Sequence, residues 1–173
     1  NSFKNLEVGR SNGEMTKTER IILIFLLQIL KKLYPNNQEY DFEKMRIVLE
    51  NGYELQYEMI TGHLQEEMTI GECNEVFKIL NMYRALKTSY NNLQDKSGIN
   101  PEDIKFKGFD GNFEAKYLCY VQFIFESLNL FEKLKDDSKS LNYDTHFETL
   151  NRYRKMLKVW ENYNKSCTLD KDQ

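Results

Sequence analysis

Apolar side chains recur every three or four positions through most of the chain, which is the mark of amphipathic helices. The first such stretch, residues 21–33, is apolar on nearly every side. A helix of that kind is expected to be buried all round. Thr16 and Glu19 stand before it at capping-box spacing, where hydroxyl and carboxylate satisfy free N–H groups of the first turn. Tyr34-Pro35 ends it, because the residue before proline avoids α geometry. Phe42, Met45, Val48 and Leu49 give a second helix one apolar face, with Asp41 as its cap and Asn51-Gly52 as its stop. A shorter helix is expected over 53–63, weakened near its end by Gly62.

Thr69 and Glu72 form a second capping box. Val76, Leu80, Tyr83, Tyr90 and Leu93 then mark an amphipathic helix that breaks at 95–98. Asn100-Pro101 starts a short turn. Ile104, Phe106 and Lys107 alternate like an extended segment without a partner strand. Asp110 or Asn112 is expected to cap a long helix over 113–134, where Tyr117, Val121, Ile124, Leu128 and Phe131 are joined by Leu118, Tyr120, Phe123 and Phe125. So wide a stripe belongs to the central helix of a fold or to an oligomer seam, and the central helix is favoured. Thr145 and Glu148 have the spacing of a third capping box, ahead of a stripe of Phe147, Leu150, Tyr153, Leu157 and Trp160. The pattern predicts an all-α fold, a compact bundle of five to six helices. It assigns 1–13 to a flexible lead-in, 14–164 to the helical domain and 165–173 to a flexible tail.

Composition agrees with this pattern. A chain of 173 residues is about one domain, and 40% apolar against 29% charged residues describes a folded chain rather than a disordered one. The net charge of −3 argues against a phosphate-gripping protein, which usually carries a strongly basic face. Cys73, Cys119 and Cys167 lie far apart, so neither a disulfide framework nor a zinc knuckle is indicated. Cys119, between Leu118 and Tyr120, is expected in or near the core, and Cys73 is expected to be inert. The longest apolar run, 21–30, is interrupted by Gln28 and falls well short of the roughly 20 residues a membrane span needs. The expected setting is a reducing cytoplasm, with no membrane, metal or cofactor.

Several short motifs stand in order along the chain. They are Met15-Thr16 with Glu19-Arg20, Gly52-Tyr53-Glu54-Leu55-Gln56, Met82-Tyr83-Arg84-Ala85-Leu86 and Asn92-Leu93-Gln94-Asp95. Gly108-Phe109-Asp110, Glu114-Ala115-Lys116-Tyr117-Leu118 with Tyr120-Val121 and Phe123, and Tyr153 with Met156-Leu157 and Val159-Trp160 complete the set. No single piece is specific, but the ordered set over about 14–163 resembles the YfbU family, small bacterial proteins without an established activity. The resemblance implies an all-helical fold and supplies no catalytic residues. The chain departs from the family's pattern around 136–142 and in its first thirteen residues.

Familiar catalytic signatures are absent: there is no GxGxxG, Walker loop, HExxH or GxSxG. His63 and Glu67 are too few for a structural zinc site, and capping alone accounts for the position of His146. Adjacent acids such as Glu66-Glu67 do not face each other on a helix. A polar–aromatic set in or beside the family-like motifs comprises Tyr53, Gln56, Tyr83, Asn92, Gln94, Asp110, Tyr117 and Trp160. Such a set is either a small-ligand site or a buried network that fixes helix register, and the network is favoured. Arg154, Lys155 and Lys158 share a face of the last helix that is either solvated or a nucleic-acid contact, and the solvated reading is favoured. The favoured function is a non-catalytic interaction or self-associating regulatory module, with an unknown protein or a second copy as partner. A nucleic-acid-associated regulator is the alternative. An enzyme or small-ligand binder built on the Tyr/Asn/Asp set is a weaker third.

Overall fold

The computed structural model describes residues 15–164 and 166–170. The expected lead-in, 1–13, lies outside the described residues. The chain divides into two compact units, Asn1–Glu66 and Glu67–Gln173, in the polar stretch between the helix expected over 53–63 and the Thr69–Glu72 capping box. Among the described residues there are seven α-helices and no strand; an isolated parallel bridge joins Phe109 to Asp144. The all-α class holds. The expected five to six helices become seven because the segment expected as one helix over 113–134 is broken and yields two.

In the first unit, α1 (Lys17–Leu33) opens on the capping box read from the sequence. The Glu19 amide donates to Thr16 Oγ1 at 3.1 Å, and the Thr16 amide donates to a Glu19 carboxylate oxygen at 2.7 Å. α2 (Phe42–Asn51) is capped by Asp41 and stopped by Gly52 at φ +68, the left-handed position where glycine costs least. Arg20 reaches from α1 to the open end of α2, donating to the Leu49 carbonyl (2.7 Å) and the Glu50 carbonyl (3.1 Å). A cation there satisfies terminal carbonyls and complements the helix dipole. Residues 53–63 form a 3-10 turn, Glu54–Gln56, and the short α3, Glu58–Thr61. Leu27, Met45, Val48, Leu49 and Tyr57 make the small core of this unit. Beside it, Glu43 joins Arg46 and Lys31; these hydrogen bonds, Arg46 first, bring its carboxyl to about 2.

One expectation fails here. Of the residues of α1, Leu27 alone is buried, and the side of the helix turned away from α2 exposes six large apolar side chains. The all-round apolar pattern predicts burial, but it records only that both sides are greasy.

In the second unit, α4 (Ile70–Asn92) is the central helix. It is entered by the Thr69–Glu72 capping box and buries Val76, Ile79, Leu80, Met82, Tyr83, Ala85 and Ser89. The segment expected as one helix over 113–134 is three pieces. α5 (Ala115–Gln122) runs into a π-helical turn, Phe123–Ser127; the chain then breaks, and α6 is Glu132–Lys135. Asn129 and Phe131 take φ of +52 and +55, which no right-handed helix accommodates. The excess width of the apolar stripe therefore belongs to several directions of chain. Cys119 is exposed on α5 rather than near the core, while Leu118 before it is buried. Lys87 of α4 secures the α6 end by pairing with Asp137, whose second oxygen accepts from the Phe106 amide at 3.3 Å.

The last helix, α7 (Leu150–Asn162), does not use the Thr145–Glu148 box. Thr145 is spent elsewhere: its amide donates to the Phe109 carbonyl and its hydroxyl to the Phe147 carbonyl. The cap comes instead from Glu114, 93% buried, whose carboxylate accepts from the amides of Thr149 (3.0 Å) and Leu150 (2.7 Å). Glu114 also takes the Asp110 amide at 3.0 Å. Beyond α7 the described part of the expected tail is docked: Trp160 Nε1 donates to the Ser166 carbonyl and the Leu169 amide to Ser89 Oγ.

Candidate functional site

The polar–aromatic residues of the second unit divide by depth. Tyr83, Phe106, Phe109 and Tyr153 pack with ring centroids 5.4–5.8 Å apart, edge to face except for the tilted pair Phe106–Tyr153, and each is at most 1% exposed. The Tyr83 hydroxyl faces Met156 Sδ at 3.6 Å, and burial raises its pKa to about 12. The Tyr153 hydroxyl donates to the Gly108 carbonyl at 2.9 Å. This is a sealed aromatic core with its polar tips satisfied, and Tyr83 is part of it.

Asp110, 2% exposed, accepts from the Asn112 amide at 2.8 Å, which closes a local turn and does not cap α5. Trp160 spends its N–H on Ser166. Asn92 is exposed at the last position of α4, about 13 Å along the helix from Tyr83. Gln94 is exposed just beyond it. Tyr53 precedes the 3-10 turn of the first unit and Gln56 is its last residue, and Tyr53 is exposed. Within the second unit Tyr117 leans on Phe109 with centroids 5.5 Å apart, so Tyr117 and Asp110 adjoin the core that holds Tyr83. Trp160 belongs to the same apolar core, while Asn92 stands outside it on the surface.

Trp160 lines an apolar surface groove beside Met82 and Met156, and Tyr117 reaches a separate, charged one. Its hydroxyl donates to Glu75 Oε2 at 3.1 Å, and Arg154 grips the same carboxylate with two bonds, Nε to Oε1 at 2.7 Å and Nη2 to Oε2 at 2.9 Å. The Arg154 bonds hold the Glu75 carboxyl below its usual range, while burial and then the Glu75 bond push the Tyr117 phenol up to about 12. Near neutral pH the phenol keeps its proton and the carboxylate its charge, so the trio neither gives nor takes a proton. The groove, about 610 Å³, also carries Lys78 and Lys158 with Glu72 and Glu161. Its charges are mixed, and Arg154, the strongest of the candidate basic residues, is already engaged. Lys155 and Lys158 are exposed on α7. Among the described residues no three of His, Cys, Asp and Glu converge as metal ligands. Sequence reasoning missed Glu75, Glu114 and Lys87, because each has its partner tens of residues away.

Among the described residues of the first unit, α1 carries more exposed large apolar side chains than any other helix, all on its outer face. Ile21, Ile22, Phe25, Leu26, Ile29 and Leu33 are between 49% and 65% exposed. At about 100° per residue they fall within about 140° of arc, opposite Leu23 and Leu27. Monomeric proteins rarely leave so wide an apolar patch open to water. The signal stands in the sequence as the apolar run from 21 to 33.

The chain matches the model of the YfbU domain over residues 13–173. It is 39% identical over 163 residues to the UPF0304 protein MJECS11 of Methanocaldococcus jannaschii, an alignment that covers 92% of this chain and 95% of that protein. That organism is an archaeon, so the restriction to bacteria implied by the resemblance does not hold. No biochemical activity is assigned to this group of proteins. Among the described residues no helix is long and apolar enough to cross a membrane.

Proposed function

The chain belongs to the YfbU family, and on that premise we propose that it acts as a non-catalytic protein-interaction module whose working surface is the outer face of α1. The observation that carries this reading is the stripe of six half-exposed aliphatic and aromatic side chains on one helix. Leaving such a stripe in water costs roughly 25 cal/mol per Å² of apolar area, a cost that a partner removes. The engaged state of Glu75, Arg154 and Tyr117 supports the non-catalytic half of the reading, since those side chains already spend their hydrogen bonds on one another.

A photo-crosslinking side chain at Ile22, in cells that natively make the protein, tests the assignment. A discrete higher-mass adduct is expected at Ile22 and none at Glu50, an exposed polar position on α2. Equal yields at the two positions would remove α1 as the working surface.

A further inference from the structure

We infer that the occupant of this face is a second copy of the chain, with α1 packed antiparallel on α1 about a two-fold axis beside Phe25. The inference rests on the reading of α1 as the working surface and names its partner.

Three features point to a second copy. The first is area. An aromatic side chain offers 150–250 Å² and an aliphatic one somewhat less, so half-exposure of six leaves roughly 600 Å² of apolar surface on each copy. A stable interface takes about 800 Å² per partner, with an apolar centre and a polar rim. The stripe supplies such a centre, and Tyr34, Gln28 and the stem of Lys32, all exposed, supply a rim.

The second is self-complementarity. A two-fold contact brings the same patch together twice, so it must match its own reverse. Centred on Phe25, the reversed stripe sets Ile21 against Ile29, Ile22 beside Gln28 and Ile29, and Phe25 against its own copy, while Leu33 falls opposite Lys17 at the edge of the seam. Thr18 and Lys32 lie on the same arc at its two ends, and the reversed register places the Lys32 ammonium beside the Thr18 hydroxyl.

The third is charge. A parallel pairing sets Lys32 beside Lys32 in an apolar seam and aligns two helix dipoles. The antiparallel pairing separates the two ammonium groups by about 20 Å and opposes the dipoles. A membrane surface fits less well. An in-plane helix keeps a charged, solvated face opposite the apolar one, whereas here that side of α1 packs on α2 through Leu23 and Leu27.

The test uses the full purified chain. Sedimentation velocity is expected to show a dimer, and Phe25→Glu is expected to weaken it by roughly 100-fold or more, because it leaves carboxylates unpaired in the seam. Ile47→Glu, at an exposed apolar position on α2, is expected to leave the dimer intact, and far-UV circular dichroism checks that both variants fold. In a chain whose three cysteines are serine, Phe25→Cys is expected to link to its own copy on oxidation and Leu33→Cys is not. A wild-type monomer at high concentration, or a dimer indifferent to Phe25→Glu, overturns the inference. Linkage of Leu33→Cys to itself overturns the antiparallel register, and binding of a monomer to anionic vesicles puts lipid in place of the second copy. If the chain is monomeric while Ile22 still crosslinks to another protein in cells, the second copy fails and the interaction reading stands. If Ile22 gives no adduct either, both fall.

Discussion

Replacing Glu114 by alanine removes the acceptor of three backbone amides, those of Asp110, Thr149 and Leu150, at 2.7–3.0 Å. All three residues are at least 91% buried, so water cannot take over fully. A hydrogen bond to a charged group contributes about 1.5–3 kcal/mol net. Three of them suggest about 4–9 kcal/mol, and the carboxylate's own desolvation, no longer paid, offsets several of these. The Thr149 hydroxyl loses little, since its one proton can go to the Gly108 carbonyl at 2.9 Å instead of the carboxylate. A loss of about 3–4 kcal/mol is expected, a large part of the 5–15 kcal/mol that typically holds a domain together. Glu114→Gln is expected to cost about 2–3 kcal/mol, because its amide turns a donor toward donors. The chain has one tryptophan, Trp160, in the second unit, so urea unfolding followed by its fluorescence reads that unit. Glu148→Ala, at the position the sequence pattern favoured as a cap, is expected to change stability by less than about 0.5 kcal/mol. A cost below about 1 kcal/mol for Glu114→Ala, or an equal cost for Glu148→Ala, would refute the reasoning.

Two further outcomes are expected. Gly108 has φ +105, and a Cβ there would lie 1.8 Å from the Tyr143 carbonyl oxygen, so Gly108→Ala is expected to cost on the order of 4 kcal/mol or more; an unchanged urea midpoint contradicts this. Glu72 is held at about 2 by its hydrogen bond to Lys116 and then by those of Thr69, against an ordinary value of 4.5. Because the folded value is the lower one, its stabilisation is complete above 4.5 and fades as pH falls toward 2. Thermal midpoints across that window should fall less steeply in Glu72→Gln than in the parent, and parallel curves would count against the pairing.

The parts of the fold legible in the sequence are those whose causes are local. Thr16 with Glu19, Asp41 with Gly52, and Thr69 with Glu72 set the ends of α1, α2 and α4 within a few residues of the signal. The misread parts have distant causes. Periodicity over 113–134 cannot register the positive φ of Asn129 and Phe131, and spacing alone cannot show that Thr145 spends its groups on Phe109 and Phe147. The polar–aromatic residues announced themselves by type, but whether they meet depends on pairs such as Glu75 and Arg154, 79 positions apart. For α1 the sequence recorded greasiness on both sides and left open what covers the outer one.

The borrowed cap of α7 also bears on the order of assembly. α4 carries its own start signal and can nucleate from neighbouring residues, whereas the first turn of α7 has no acceptor until a residue 35 positions earlier has come to meet it. Closing that loop is an entropic step that precedes its reward. During refolding, α7 amides should therefore gain protection from hydrogen exchange after those of α4, and simultaneous protection would contradict this. A helix of thirteen residues thus becomes a late event in the life of the molecule, timed by one carboxylate elsewhere in the chain.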